Sequence, residues 1–136
     1  MHVVGISGSV RRDSYNTLLL GCAERLLPEG VAFETWRDLK RVPPYDEDDR
    51  AGPLPEAVAG LRSILAGADA VLFATPEYNS SVPRALKNAL DWISRPLEES
   101  PLRNTPAAVV GASTGAFGAA WAQADLRKIL ARIGAR

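Results

Sequence analysis

Four short apolar runs, HVVGIS (2–7), VAFETW (31–36), AVLFAT (70–75) and AAVVGAS (107–113), recur along the chain, each followed by an amphipathic segment. That alternation limits the fold more than any other feature. Leu18, Leu19, Leu20, Leu26 and Leu27 supply the apolar positions of the first segment. Val58, Leu61, Ile64 and Leu65 supply those of the second, and Leu86, Leu90 and Ile93 those of the third. The last segment, WAQADLRKILARI, has the same character. Short apolar runs predict strands, and apolar residues recurring every three or four positions predict helices. Helices are therefore expected over about Tyr15–Leu27, Glu56–Ala66, Arg84–Ile93 and 121–133. Strands that alternate with helices build a parallel sheet with right-handed crossovers and helices on both faces. AVLFAT is apolar throughout, as a strand covered on both faces must be. The 136 residues are expected to form one α/β domain, large enough to bury about two-thirds of its unfolded surface.

A sheet of this kind binds ligands beyond the carboxyl ends of its strands. Three loops leave those ends with unusual composition: SGSVRRDSYN (7–16), TPEYNSSVP (75–83) and ASTGAFG (112–118). The first offers the hydroxyls of Ser7, Ser9, Ser14 and Thr17, the amide of Asn16, and the guanidinium groups of Arg11 and Arg12. A helix begins there, and its free N–H groups favour an anion. The Gly-Lys-Ser/Thr ending of a Walker loop is absent, and Gly5 and Gly8 do not meet the dinucleotide glycine spacing. A phosphomonoester suits this loop better than a pyrophosphate. The plainer alternative is a helix capped by Asp13 or Ser14 with both arginines in water. In the second loop Pro76 stiffens the turn and leaves the N–H groups of Glu77, Tyr78 and Asn79 for a planar polar ligand. Alternatively, Tyr78 lies on the core and Asn79 caps the next helix. The third loop brings Ser113, Thr114, Gly115 and Gly118, suited either to close backbone approach or to a flexible connection.

Composition narrows the remaining classes. Sixteen basic and sixteen acidic residues cancel, which removes any global electrostatic case for nucleic acid or an anionic membrane. The apolar runs are too short to span a bilayer, and no basic flank or cleavage site suggests a signal peptide. Cys22 and His2 stand alone as soft ligands, so no such metal cluster is expected and the chain fits a reducing cytoplasm. Cys22 is expected to be a small buried apolar residue. Trp92, Leu90 and Ile93 are expected in the core or at an interface, and Trp36 at the end of the second strand. The stretch from Asp38 to Pro55, with Pro43, Pro44, Pro53 and the run DEDD at 46–49, is long for a structureless loop. Either it serves a site or it is a solvated excursion.

With these motifs assembled, the sequence resembles the NADPH-dependent FMN reductases, flavodoxin-like proteins that include quinone, chromate and azo-dye reductases. The resemblance is carried by GSVRRDSYN, by TPEYNSSVPRALKNALDW and by STG ahead of ADLRKIL, across essentially the whole chain. It implies a doubly wound flavodoxin-like sheet of order 2-1-3-4 and an oxidoreductase using FMN and NAD(P)H. Residues Ser9, Arg11, Ser14, Tyr15, Asn16 and Thr17 are then expected at the phosphate end of FMN. Pro76, Glu77, Tyr78 and Asn79 would frame the isoalloxazine, and Ser113, Thr114 and Gly115 would close the third side. The flavin carries the chemistry, so no catalytic acid or base is expected. Hydride would pass from NAD(P)H to flavin N5 and on to a quinone or similar small acceptor in ping-pong order. A homodimer or homotetramer is implied, with Lys87, Asp91 and Trp92 near its seam and the 38–55 loop reaching a neighbour's flavin. Two departures stand out. Arg84 occupies a position where relatives carry a small residue, and relatives continue beyond ARIGAR into a fifth strand and a last helix. That difference leads us to expect a longer parent chain with the fourth strand left as an edge. A flavin-binding module without turnover, or a nucleotide-binding domain without redox chemistry, are the competing expectations.

Overall fold

Each apolar run forms a strand and each amphipathic segment a helix. The computed structural model describes residues 1–136, the side chain of Arg50 excepted. It runs β1 (His2–Ser7), α1 (Tyr15–Leu26), β2 (Ala32–Trp36), α2 (Glu56–Ala66), β3 (Ala70–Ala74), α3 (Arg84–Ile93), β4 (Ala107–Val110) and α4 (Ala120–Ile133). All pairings are parallel, in the expected order β2-β1-β3-β4. No described helix is long and apolar enough to cross a membrane.

Period-2 alternation turns Val4 and Ile6 of β1, Val71 and Phe73 of β3, and Val109 of β4 to one face. Leu61 and Leu65 of α2, Leu86, Leu90 and Ile93 of α3, and Leu126, Leu130 and Ile133 of α4 pack against them. Helix α1 lies on the opposite face, where Leu20 meets the sheet at Gly5. A β-carbon at Gly5 would stand 2.6 Å from the Phe33 ring and 3.4 Å from Leu20. Three helices therefore cover one face and one covers the other.

Cys22 departs from expectation and is exposed. It follows Leu20 by two residues, about 200° around the helix, so burying Leu20 turns the thiol to solvent. The 38–55 stretch is also more ordered than a structureless loop. It contains 3-10 turns at Leu39–Arg41 and Asp48–Ala51 and is pinned to α3. Trp92 Nε1 and Asn88 Nδ2 both donate to the Pro43 carbonyl, at 2.9 and 2.8 Å. The Tyr45 N–H donates to Asn88 Oδ1 at 2.7 Å, and its ring meets Trp92 edge-on at 5.1 Å. Trp92 is thus core, as expected, with its indole N–H satisfied. Trp36 is buried at the end of β2.

The outer edge of β4 is partly capped by its own chain. The Ala107 N–H donates to the Arg136 carbonyl at 2.6 Å, and Arg127 donates to the Val109 carbonyl at 3.1 Å.

Candidate functional site

Strand register brings the three loops to one edge. Ile6 lies opposite Trp36, Ser7 opposite Ala74, and Ala74 opposite Val110, so four strands end together. The loops are then bonded to one another. The Gly8 N–H donates to the Ala74 carbonyl at 2.8 Å, and the Thr75 N–H to the Val110 carbonyl at 2.9 Å. Close approach is required here: a β-carbon on Gly111 would fall 2.7 Å from the Thr75 carbonyl oxygen.

In the first loop, Ser14 caps α1, its Oγ accepting the Asn16 N–H at 3.2 Å. The N–H groups of Tyr15 and Thr17, the first and third helical residues, have no partner among the described residues. Ser9 Oγ accepts the Arg11 N–H at 3.3 Å, and Thr17 Oγ1 donates to Ser7 Oγ at 3.1 Å. The Arg11 guanidinium turns back to the Asp13 carbonyl at 2.7 Å and lies 5.5 Å over the Tyr15 ring. Arginine, serine hydroxyls and open helical N–H groups are thereby gathered around one helix start, a donor set that suits a phosphate.

Asn16 has a different place from that expected. It is 2% exposed, and its side-chain amide is spent on the third loop. Its Nδ2 donates to the Ala112 carbonyl at 3.0 Å and its Oδ1 accepts the Ala112 N–H at 2.9 Å. Residues 96 apart in sequence are held as if paired in a sheet.

The second loop turns on successive positive φ values at Asn79 (49°) and Ser80 (62°), the signature of a type I′ hairpin turn. The N–H of Tyr78 is consequently not free: it donates to the Ser81 carbonyl at 3.0 Å, and Ser81 N–H returns to Tyr78 at 3.1 Å. Those of Glu77 and Asn79 have no partner among the described residues. Tyr78 is exposed rather than laid on the core. Glu77 Oε2 accepts the Ala122 N–H in the first turn of α4 at 3.0 Å, a charge placed on the positive end of a helix. Ser81 Oγ donates to Asp125 at 2.9 Å. That hydroxyl, with Lys128 beside it, holds the Asp125 carboxyl below its ordinary value. Arg84 is exposed and borders an open groove with Tyr78 and Asn79. In the third loop Ser113 Oγ accepts the Gly115 N–H at 3.1 Å, and Thr114 is exposed.

The model of the NADPH-dependent FMN reductases matches residues 1–136. The chain belongs to that family. It is an oxidoreductase with FMN and NAD(P)H as cofactors. An NAD(P)H-dependent FMN reductase of Pseudomonas aeruginosa is 50% identical over 128 residues, 94% of this chain and 68% of its own. A 2-hydroxy-1,4-benzoquinone reductase of Burkholderia sp is 40% identical over 133 residues, 98% of this chain and 72% of its own. Among solved structures, the flavoenzyme NAD(P)H:(acceptor) oxidoreductase FerB from Paracoccus denitrificans superposes with a TM-score of 0.90 at 39% identity. It is matched over 98% of this chain and 72% of that one.

The chemistry of the loop edge suits an FMN molecule. The first loop holds donors and a cation, as a phosphate requires, while the second and third present unpartnered main-chain groups and small residues. Sequence reasoning missed the ties that hold this edge together, Asn16 to Ala112, Glu77 to α4 and Ser81 to Asp125. Their only local signal was the polar character of the residues.

Proposed function

We propose that this chain is an FMN-dependent NAD(P)H oxidoreductase acting on a quinone or a similar flat acceptor. The observation that carries the reading is the convergence of the three loops on one sheet edge, bonded together by Asn16 and Gly8. Ser9 and Arg11, with the open N–H groups of Tyr15 and Thr17, receive the phosphate, while Ser14 caps the helix and Asn16 ties this loop to the third. Pro76, Glu77, Tyr78 and Asn79 frame the ring, and Ser113, Thr114 and Gly115 close the third side. When bound, FMN supplies hydride transfer in two successive half-reactions, from NAD(P)H and then to the acceptor, in ping-pong order through one open cleft.

The protein's part is orientation and electrostatics. Open N–H groups at the start of α1 favour the phosphate dianion over water. The N–H groups of Glu77 and Asn79 supply fixed donors for the ring's polar edge, where negative charge grows on reduction. The 2-hydroxy-1,4-benzoquinone reductase relative supports a quinone-type acceptor. The 136 residues are read as one domain that works in the cytoplasm as a homodimer or homotetramer, on the strength of the family resemblance.

A visible spectrum of the purified chain with FMN, followed by anaerobic NADPH, tests this. A bound flavin band that bleaches is the expected result. A bound band that persists makes the chain a flavin-binding module, and a folded chain without flavin overturns the reading.

A further inference from the structure

Beside the first loop, on the flank away from β3 and β4, lies a cleft of about 240 Å³. Ser7, Ser9, Arg11, Arg12 and Thr17 line one wall, which the cleft shares with the phosphate loop, and Thr35, Arg37 and Lys40, at the end of β2 and just beyond it, line the other. No carboxylate lines it. Of the two acids adjacent in sequence, Asp38 is paired with Arg41 at 3.6 Å, and Asp13, next to Arg12, is exposed and lies outside the lining. Arg12, Arg37 and Lys40 are exposed, and among the described residues their side chains make no ion pair or hydrogen bond. Other cations without a side-chain partner among the described residues, such as Arg84 and Arg103, stand apart from one another in sequence, whereas these three line one cleft. Three unpaired cations around one acid-free cleft repel one another unless an anion joins them.

The flavin phosphate does not account for all of them. A phosphomonoester carries a charge of about −1.5 to −2, which Arg11 and the start of α1 already answer. The sheet order β2-β1-β3-β4 puts the ring-framing loops of β3 and β4 on the far side of β1. Arg37 and Lys40 are therefore left without a counter-charge from the flavin phosphate. In doubly wound folds that carry a dinucleotide's pyrophosphate on the first loop, an arginine beyond the second strand accommodates a ribose 2′-phosphate. Here FMN is read on that loop, so the likeness lies in the place of the arginine alone. Arg37 directly follows β2. From β2 to the loops of β3 and β4 is two or three strand spacings, about 10–14 Å, a distance an extended dinucleotide spans.

We infer that Arg12, Arg37 and Lys40 form a second phosphomonoester subsite that takes the 2′-phosphate of NADPH and selects it over NADH. The inference rests on the flavin reading proposed above. It specifies which side of the first loop the adenosine half of the nicotinamide cofactor occupies. It also assigns the β2 wall of the cleft to that cofactor, while the wall of Ser9, Arg11 and Thr17 stays with FMN.

The test uses the flavin-loaded protein and its Arg37→Ala/Lys40→Ala double variant. Both positions are exposed, so circular dichroism should show both proteins folded. FMN affinity is read by quenching of flavin fluorescence, and KM is measured with NADPH and with NADH. The expected result is a rise of about 10- to 100-fold in the KM ratio, NADPH over NADH, as charge-assisted contacts to phosphate are lost. In calorimetry, 2′,5′-ADP should bind the parent protein more tightly than 5′-AMP does, and the double variant should lose that difference. A KM ratio that stays constant overturns the inference. So does a fall in FMN affinity at constant ratio, which would give the cleft to the flavin phosphate. A parent protein that binds no flavin but still prefers 2′,5′-ADP would sink the flavin reading and keep the subsite.

Discussion

Replacing Asn16 by Ala isolates the bond that joins the first loop to the third. Asn16 is 2% exposed and exchanges two hydrogen bonds with the main chain of Ala112, at 2.9 and 3.0 Å. The truncation strands one N–H and one carbonyl in a partly buried site. Each lost bond costs about 1–1.5 kcal/mol, so the variant should lose about 2–3 kcal/mol of stability. For a chain of 136 residues that corresponds to a melting point lower by about 6–12 °C. FMN affinity should fall as well, because the two loops no longer share a frame. Asn16→Asp sharpens the test. Its carboxylate still accepts the Ala112 N–H but opposes the Ala112 carbonyl, and it adds a negative charge beside the phosphate loop. Burial without a cation raises that carboxyl's pKa above the unfolded value, so the deficit should shrink as pH falls and the group protonates. The assays are urea unfolding with and without FMN and a flavin fluorescence titration. A variant that melts within about 2 °C of the parent, yet binds FMN poorly, would make Asn16 a direct ligand only and refute this account.

Gly111→Ala should destabilise by about 1–3 kcal/mol, since its β-carbon would approach the Thr75 carbonyl at 2.7 Å; thermal melting checks it. Arg11→Ala should weaken FMN binding by about 10- to 100-fold, measured by flavin fluorescence, and the loss should shrink in high salt. Trp92→Phe removes the 2.9 Å bond to the Pro43 carbonyl and leaves a cavity. It should cost about 2–3 kcal/mol and speed proteolysis within residues 38–55. The depressed carboxyl of Asp125 contributes stability that is complete above its unfolded pKa and is lost as pH falls through the lower folded one. Ser81→Ala should raise that pKa, as a carboxyl-resolved NMR titration would show.

Local pattern was enough for the framework. The bounds of α2 and α3 follow directly from the spacing of Val58, Leu61 and Leu65 and of Leu86, Leu90 and Ile93. The parallel order follows from alternation and handed crossovers, neither of which depends on distant residues. The composition of the three loops pointed to an anion and a planar ligand, because Ser, Arg and Gly act through groups they carry themselves. Cys22 was misread because a small thiol fits either face of a helix, and the face was set by Leu20.

What the sequence by itself determined is therefore the element order, the edge at which the three loops gather and the kind of polar group they bring there. Tertiary structure alone decided which polar groups remain free. The Asn16 amide is consumed by Ala112, the Tyr78 N–H by Ser81 and the Glu77 carboxylate by the first turn of α4. The same holds for the cleft between the first loop and β2, where Arg12, Arg37 and Lys40 meet only once strands β1 and β2 pair. Periodicity reports how a residue relates to neighbours a turn or a strand away. A side chain's polar partner lies wherever the chain returns, and in this sheet it returns after 96 residues.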